Sequence, residues 1–402
     1  SPQIAAYSSA VDANHEELLA ARASGARAVG RGRLLSWLFK SRQGVGIAGT
    51  HGKTTTASMI GIILERAGWD PTLAVGAEIR NIGTNARLGS SGLFVAEIDE
   101  SDGSFEFFSP AVTVITNIDW DHVDHFPAPG DVLAAFVRFA RARKPETPLI
   151  LCAEDEGTQS LRRELRGDAN VLTYGWGAGS WDWGAFDVTR KAGGGVVFSV
   201  AREKKTLGRV ELTVSGEHNV LNALAACVAA SSLGVPFGET AEALREFRGA
   251  RRRLEKMGEK KLKTGGAVDV IGDYAHHPRE ISATLSALRD IYPERRLVVV
   301  FQPHRYTRTG VFYREIASAL GGADAVLLLP IYAAGEEPSG VTSASIADAM
   351  SSEGHFYGPA PVLCGGEEDA RSHLEALLRE GDVLALLGAG DIVRLGEACV
   401  TP

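Results

Sequence analysis

The sequence predicts an α/β protein built of parallel sheets covered by helices, and three observations predict it. Short unbroken apolar runs such as Leu93-Phe94-Val95-Ala96 and Leu297 to Phe301 alternate with longer helical stretches. That is the pattern of strands buried on both faces. Chemistry-bearing residues gather directly after those runs, at the strand ends where open parallel sheets hold their ligands. The segment Ile47 to Thr56 then joins one such strand to a helix through Gly49, Gly52 and Lys53.

The elements follow in order. Ser1 to Ala10 reads as the end of a strand and Asn14 to Gly25 as the helix after it, so a first domain is entered midway. This piece runs to about Gln43 and closes on the apolar Leu34 to Phe39. A strand at Gly44 to Ala48 and a mostly buried helix over Ala57 to Ala67 come next. Strands at Leu93 to Ala96, Val112 to Thr116 and Leu149 to Leu151 flank a helix at Val132 to Arg141. Residues 171–214 are Gly-broken and β-leaning, which suggests an antiparallel addition, and a helix resumes at Asn219 to Leu233. The pattern breaks around Phe247-Arg248-Gly249, which marks a domain junction near 248. Beyond it, strands at Ala267 to Ile271, Leu297 to Phe301, Ala325 to Leu329 and Val383 to Leu387 alternate with helices, as in a doubly wound, Rossmann-like unit.

Composition narrows the function. A chain of 402 residues has room for two or three domains, and 45% hydrophobic with 23% charged residues is ordinary globular content. The formal net charge of −8 gives no hint of a nucleic-acid surface, and the basic clusters lack interleaved aromatics. Cys152, Cys227, Cys364 and Cys399 are widely separated, which suits a reducing compartment and ordinary thiols. No run is apolar and long enough to span a bilayer, and no signal peptide is visible at the start.

The segment Ile47-Ala48-Gly49-Thr50-His51-Gly52-Lys53-Thr54-Thr55-Thr56 carries the most chemistry. Backbone N–H groups in a tight turn, the positive start of a helix and one lysine form a cradle for nucleotide phosphates. Lys53 reaches the outer phosphates, and the Thr54 hydroxyl is placed to ligate magnesium. The strict pattern wants glycine where Ile47 stands, so the loop is a variant resting on Gly49 and Gly52. It makes the central domain one of the P-loop ATPase type; a turn binding nothing is the bland alternative. A dinucleotide fingerprint, Gly44 to Gly49 with Asp70 downstream, overlies the same stretch. It fails because the strand lies inside the fingerprint and Asp70 falls in a turn after the helix. Lys53→Ala is expected to abolish turnover and leave the fold intact.

Two strand ends after the loop present acids and histidines: Glu97-Ile98-Asp99-Glu100-Ser101-Asp102 and Asn117 to His125. A carboxylate and an imidazole beside a magnesium–phosphate centre can hold the ion or its waters. Imidazole is an unusual magnesium ligand, so His122 acts at a second, softer ion position or through water; solvated acidic loops are the alternative. Asn219 and Asn222 share a helix face, where they cap the helix or bind an adenine or an ion's shell. In the last third, Asp273-Tyr274-Ala275-His276-His277-Pro278 and Gln302 to Thr309 again follow apolar strands. Arg305 and Arg308, three apart, suit the carboxylate of a small acid or amino acid.

Taken together, Ala48 to Thr56, Asn85 to Gly89, Ala96 to Asp102 and His218 to Asn222 resemble the Mur ligase family. So do Arg251-Arg252-Arg253, Asp273 to Pro278 and Phe301 to Thr309, and the likeness runs through the chain in order. The resemblance implies a cytoplasmic enzyme of peptidoglycan assembly, with no nucleic-acid partner and no membrane insertion, and with monomer and homodimer both open. Its substrates would be UDP-N-acetylmuramate, L-alanine and ATP with Mg2+, joined through an acyl phosphate. It further implies a remnant of an N-terminal UDP-sugar-binding α/β domain over residues 1–43. A central ATP-binding domain over 44–247 and an amino-acid-binding domain over 248–402 would follow. Carried over by motif, Gly49, Thr50, His51, Gly52, Lys53, Thr54 and Thr55 would hold the nucleotide. Thr54, Glu97 and His122 would organise magnesium, with Asn219 and Asn222 serving the nucleotide and metal. Arg253, with Arg252 as its competitor, and Asp273 would complete the ATP site. Tyr274, His276, Arg305 and Arg308 would line the alanine pocket. A sister ligase attaching a recycled peptide, or an ATP-binding protein without turnover, remains the alternative. The family's Gly-rich front motif has no counterpart in the sequence, so the chain is expected to lack most of that first domain.

Overall fold

The computed structural model describes residues 3–8, 11–12, 14–179, 181–352 and 358–400. The chain divides into two compact units. The first takes Ser1–Val188, Val197–Leu212 and Asn219–Phe247; the second takes Thr189–Val196, Thr213–His218 and Arg248–Pro402.

Unit 1 opens with a parallel two-stranded ribbon, β1 (Ile4–Tyr7) and β2 (Arg27–Gly30), carrying α1 (Glu16–Ala23) and α2 (Arg31–Lys40). Leu34 to Phe39 is thus the second half of a helix, and β2 is a strand its four short residues do not advertise. The main sheet then grows from β3 (Gln43–Ala48), α3 (Lys53–Arg66), β4 (Thr72–Ile79), β5 (Thr84–Arg87), β6 (Leu93–Glu97) and β7 (Val112–Ile115). It continues through α4 (Pro129–Arg141), β8 (Leu149–Cys152), α5 (Glu156–Glu164), β9 (Val171–Trp176), β10 (Trp183–Arg190), β11 (Val196–Arg202) and β12 (Lys205–Leu212). Helices α6 (Glu217–Ser232) and α7 (Phe237–Arg245) close the run.

The ten strands lie in the order β12-β11-β10-β9-β8-β7-β3-β6-β4-β5. Strand β3 pairs in parallel with β6 on one side and β7 on the other, so the chain departs from it in both directions. Its carboxyl end is therefore the topological switch point, the position at which open α/β sheets place their ligands. The sheet's β-leaning extension differs from expectation: β9 is parallel to β8, and β10 joins β9 in parallel over three residue pairs. Only then do tight turns, one with Glu203 and Lys204 both at positive φ, fold the chain back through β11 and β12.

Unit 2 contains β13 (Glu255–Lys261), β14 (Ala267–Asp273), α8 (Pro278–Ile291), β15 (Leu297–Phe301), α9 (Tyr306–Leu320) and β16 (Ala325–Leu328). It ends with α10 (Ser343–Ser352), β17 (Val362–Leu363), α11 (Glu367–Leu377), β18 (Val383–Leu387) and α12 (Val393–Val400). The sheet order is β13-β14-β18-β15-β16-β17, parallel throughout except for the antiparallel edge strand β13. Every residue of β15 and β18 is buried, which explains their unbroken apolar sequence.

Burial also dictates how α3 behaves. Its residues from Lys53 to Leu64 are all buried, polar first turn included, so the helix start is fixed inside unit 1 rather than fraying in water. Met59, Ile60 and Ile63 supply the apolar anchoring, each at about 1.5–3 kcal/mol for full burial. The four cysteines are buried and free. Among the described residues no helix is long and apolar enough to cross a membrane.

Candidate active site

The loop after β3 turns on two glycines. Gly49 has φ 120° and Gly52 φ 80°, conformations that L side chains rarely adopt. A Cβ on Gly52 would also stand 2.6 Å from Asn222 Oδ1. The loop backbone is tied to the end of β7. His51 N donates to Asn117 Oδ1 (2.8 Å), and the His51 carbonyl accepts from Asn117 Nδ2 (2.9 Å) and Thr116 Oγ1 (2.6 Å). Thr50 Oγ1 accepts from Asp119 N at 2.9 Å, and His51 Nε2 lies 3.2 Å from Asp119 Oδ2. Thr54 and Thr55 are buried in the first turn of α3. Asp70, in its turn at φ 40°, accepts from Ser90 N and Oγ (2.8 and 2.7 Å), so it braces a loop as a structural acid.

Lys53 begins α3, and its ammonium donates to Gly49 O (2.6 Å), Thr50 O (3.2 Å) and both oxygens of Glu100 (3.0 and 2.9 Å). Burial opposes its charge, but Glu100, then Asp99 and Glu97, outweigh burial and hold the lysine above its ordinary pKa. This pairing alters the expectation for Lys53→Ala. The substitution would leave the Glu100 carboxylate, 1% exposed, buried without its cation.

The expected metal set divides in two. Thr54 Oγ1 donates to Glu97 Oε2 at 2.8 Å, and Gly76 N donates to the same oxygen at 2.7 Å. His122, held at φ 51°, stands instead with Asp99 and Glu100, the three offering ligand atoms within 4.8 Å of one another. Its Nε2 is 3.6 Å from Glu100 Oε1. Burial raises the Asp99 pKa, yet Lys53 and His122 prevail and its carboxyl sits below the usual range. Asn219 and Asn222 come together inside α6, where Asn222 Nδ2 donates to Asn219 Oδ1 at 3.1 Å. Asn222 Oδ1 accepts from Thr56 Oγ1 at 3.3 Å. Because α6 starts at Glu217, Asn219 is no helix cap.

Unit 2 gathers the remaining candidates. Burial pushes the Asp273 carboxyl up, while Asp273 accepts from Leu254 N (2.6 Å) and Ala275 N (2.8 Å). Arg252 donates to the Gly388 and Gly390 carbonyls (2.7 and 3.0 Å), which makes it an internal clamp. Its neighbour Arg253 lies over the Tyr274 ring at 5.3 Å and 4.0 Å from Glu280. His276 sits 2.9 Å from Tyr274 O, with its ring 5.8 Å from that of His304. Arg305 adopts φ 69° at the entry to α9, with its N–H donating to Tyr332 O at 2.8 Å and its guanidinium 3.7 Å from Glu336. Arg308 is buried beside His304 Nδ1 at 3.1 Å, and His304 stacks on Tyr332 at 5.6 Å.

Comparison with known proteins fixes the family. Residues 47–230 match the Mur ligase middle domain, and residues 252–390 match the Mur ligase glutamate ligase domain. The UDP-N-acetylmuramate–L-alanine ligase of Desulfosudis oleivorans is 40% identical over 98% of this chain and 84% of its own length. The one from Acidithiobacillus ferrooxidans is 42% identical over 98% of this chain and 83% of its own. The chain belongs to the Mur ligase family. The crystal structure of UDP-N-acetylmuramate–alanine ligase from Thermotoga maritima matches at a TM-score of 0.80 and 28% identity, covering 100% of this chain and 85% of that one.

Several residues of this arrangement carry no distinguishing local signal in the sequence. Glu100 belongs to the acidic run Glu97 to Asp102, but nothing local distinguishes it from Asp99 or Asp102 as the acid facing Lys53. Asn117 opens the strand-end run Asn117 to His125, but only the fold brings it to the His51 peptide, as it brings Tyr332 and Glu336 to Arg305. The donor chemistry in unit 1 fits a hard divalent ion: a hydroxyl and carboxylate oxygens dominate, with one imidazole.

Proposed function

We propose that the protein is an ATP-dependent ligase joining L-alanine to the carboxylate of UDP-N-acetylmuramate, giving ADP and phosphate. The observation that carries this is the unbroken likeness, over 98% of the chain, to ligases named for that reaction. A carboxylate is a poor electrophile, so one of its oxygens attacks the γ-phosphorus of ATP and ADP leaves. The alanine amine then attacks the acyl carbon, phosphate departs with that oxygen, and the nitrogen loses its proton.

The residues divide this work. Backbone N–H groups of Gly49 to Thr55 cradle the phosphates, and Lys53 offsets charge on the transferring group. Thr54 with Glu97, and separately His122 with Asp99 and Glu100, are our candidates for holding magnesium, which when bound neutralises phosphate charge. Asn219, Asn222, Arg253 and Asp273 we assign to the nucleotide, and the hydrogen bonds of Arg252 to the Gly388 and Gly390 carbonyls favour Arg253 over it. Arg305 and Arg308 take the carboxylate of alanine, while Tyr274 and His276 shape its pocket. On the same reading residues 1–43, 44–247 and 248–402 serve the UDP-sugar, ATP and the amino acid. The enzyme works in the cytoplasm, where ATP is made.

Phosphate release with UDP-N-acetylmuramate and MgATP tests the proposal, adding L-alanine, glycine, L-serine or a tripeptide in turn. L-alanine should stimulate release most. Release dependent on the tripeptide but not alanine would move the assignment to a peptide-recycling ligase. No release with any acceptor would leave a binding role.

A further inference from the structure

We propose that Glu100 is a positioning residue that couples nucleotide binding to the divalent cation. Its carboxylate holds the Lys53 ammonium in the nucleotide-free protein, and a phosphate takes that place fully only when a cation near Asp99 and His122 receives the released carboxylate. The inference rests on the reading of the loop as an ATP site.

Hydrogen-bond capacity carries the first step. An ammonium has three donors. Gly49 O and Thr50 O take two, and the third is shared by the Glu100 oxygens at 3.0 and 2.9 Å. The carboxylate thus occupies the direction from which a phosphate oxygen would approach. Burial carries the second step. Glu100 is 1% exposed, so once displaced it cannot turn to water, and a lone buried carboxylate beside incoming phosphates is strongly disfavoured. The neighbouring donors give it somewhere to go. His122 Nε2 lies 3.6 Å from its Oε1, and Asp99, Glu100 and His122 already converge within 4.8 Å. A cation there would exchange one charge partner of Glu100 for another, linking nucleotide and cation affinities reciprocally.

Calorimetric titration of the full chain with ADP, in excess MgCl2 and in EDTA, tests this in the unaltered protein and in Glu100→Gln. The neutral amide should tighten magnesium-free ADP binding and shrink the ratio of the two affinities about tenfold. A glutamate that merely braces the loop would shift both affinities alike, and an unchanged ratio would overturn the proposal. A crystal structure of the unaltered protein with MgADP gives a second reading that needs no variant to fold. Glu100 should be parted from Lys53 beyond hydrogen-bond reach, and an intact pair would overturn the proposal. If the unaltered protein fails to bind ADP even with magnesium, the nucleotide reading falls and this inference with it. Binding with an unchanged ratio removes the inference alone.

Discussion

The glycine-lysine loop of unit 1 and the arginine-centred cluster of unit 2 are made of opposite materials. The loop is main chain: Gly49 and Gly52 take backbone angles closed to other residues, and Asn117 hydrogen-bonds the peptide around His51 on both sides. Its one charged side chain, Lys53, is buried and fully engaged. The cluster is side chain: Arg305, Arg308, His304, Tyr332 and Glu336 meet through guanidinium, ring and carboxylate contacts. The contrast follows from the ligands proposed. Phosphate oxygens are alike in every nucleotide and suit a fan of N–H groups, whereas a small amino acid is told from its neighbours by directional forks and walls. Damage to the loop should therefore remove all activity. Damage to the cluster should change how the acceptor is used.

The largest expected effect is on Lys53. Lys53→Ala should lower kcat by about a thousandfold, and steady-state phosphate release checks it. The same change should cost about 3 kcal/mol of stability in a urea melt, because it strands Glu100. Lys53→Met combined with Glu100→Gln should recover that stability without turnover. If the single variant is as stable as its parent, the buried pair is not what holds the loop. Next comes Gly52→Ala, which forces a side chain to φ 80° and toward Asn222 Oδ1. ADP affinity, by calorimetry, should fall about a hundredfold. Arg305→Ala belongs to the other region, and its signature is a split. The KM for L-alanine should rise about tenfold with ADP affinity unchanged, and a parallel loss of ADP affinity would erase the contrast.

The effect smallest at neutral pH is acid sensitivity in unit 2. Burial first, then Arg253, push His218 down to about 4 from 6.5. The unfolded chain therefore takes up the proton before the folded one. Stability should fall as pH drops from 6.5 toward 4, by at most about 1.4 kcal/mol per pH unit from this group. All six tryptophans precede residue 184, within unit 1, so hydrogen exchange on β14 and β15 is the suitable probe for unit 2. His218→Asn should flatten the slope there, and an unaltered slope would dismiss this histidine as its source.

The same contrast explains what could be read in the sequence. The loop was legible because its geometry is local: two glycines, a lysine and hydroxyls at fixed spacing between a strand and a helix. Strands β3, β15 and β18 were legible because burial on both faces writes continuous apolar runs. Strand β13 was not, since Glu255 to Lys261 is a charged edge joined to β14 by backbone hydrogen bonds that side-chain identity hardly records. The cluster was half legible. Arg305 and Arg308 stood out by spacing, but Tyr332 and Glu336 reach them only because β15 and β16 are neighbours in the sheet. What distinguishes Arg252 from Arg253 likewise lies far off in the sequence: Arg252 is held by the carbonyls of Gly388 and Gly390, more than a hundred residues away.

The fate of one oxygen atom tests the ligase reaction most directly. UDP-N-acetylmuramate labelled with heavy oxygen in its carboxylate can be turned over with MgATP and L-alanine, and the released phosphate examined by mass. Activation as an acyl phosphate predicts one carboxylate oxygen in each phosphate formed, and only when all three substrates are present. Phosphate released without the label would contradict it.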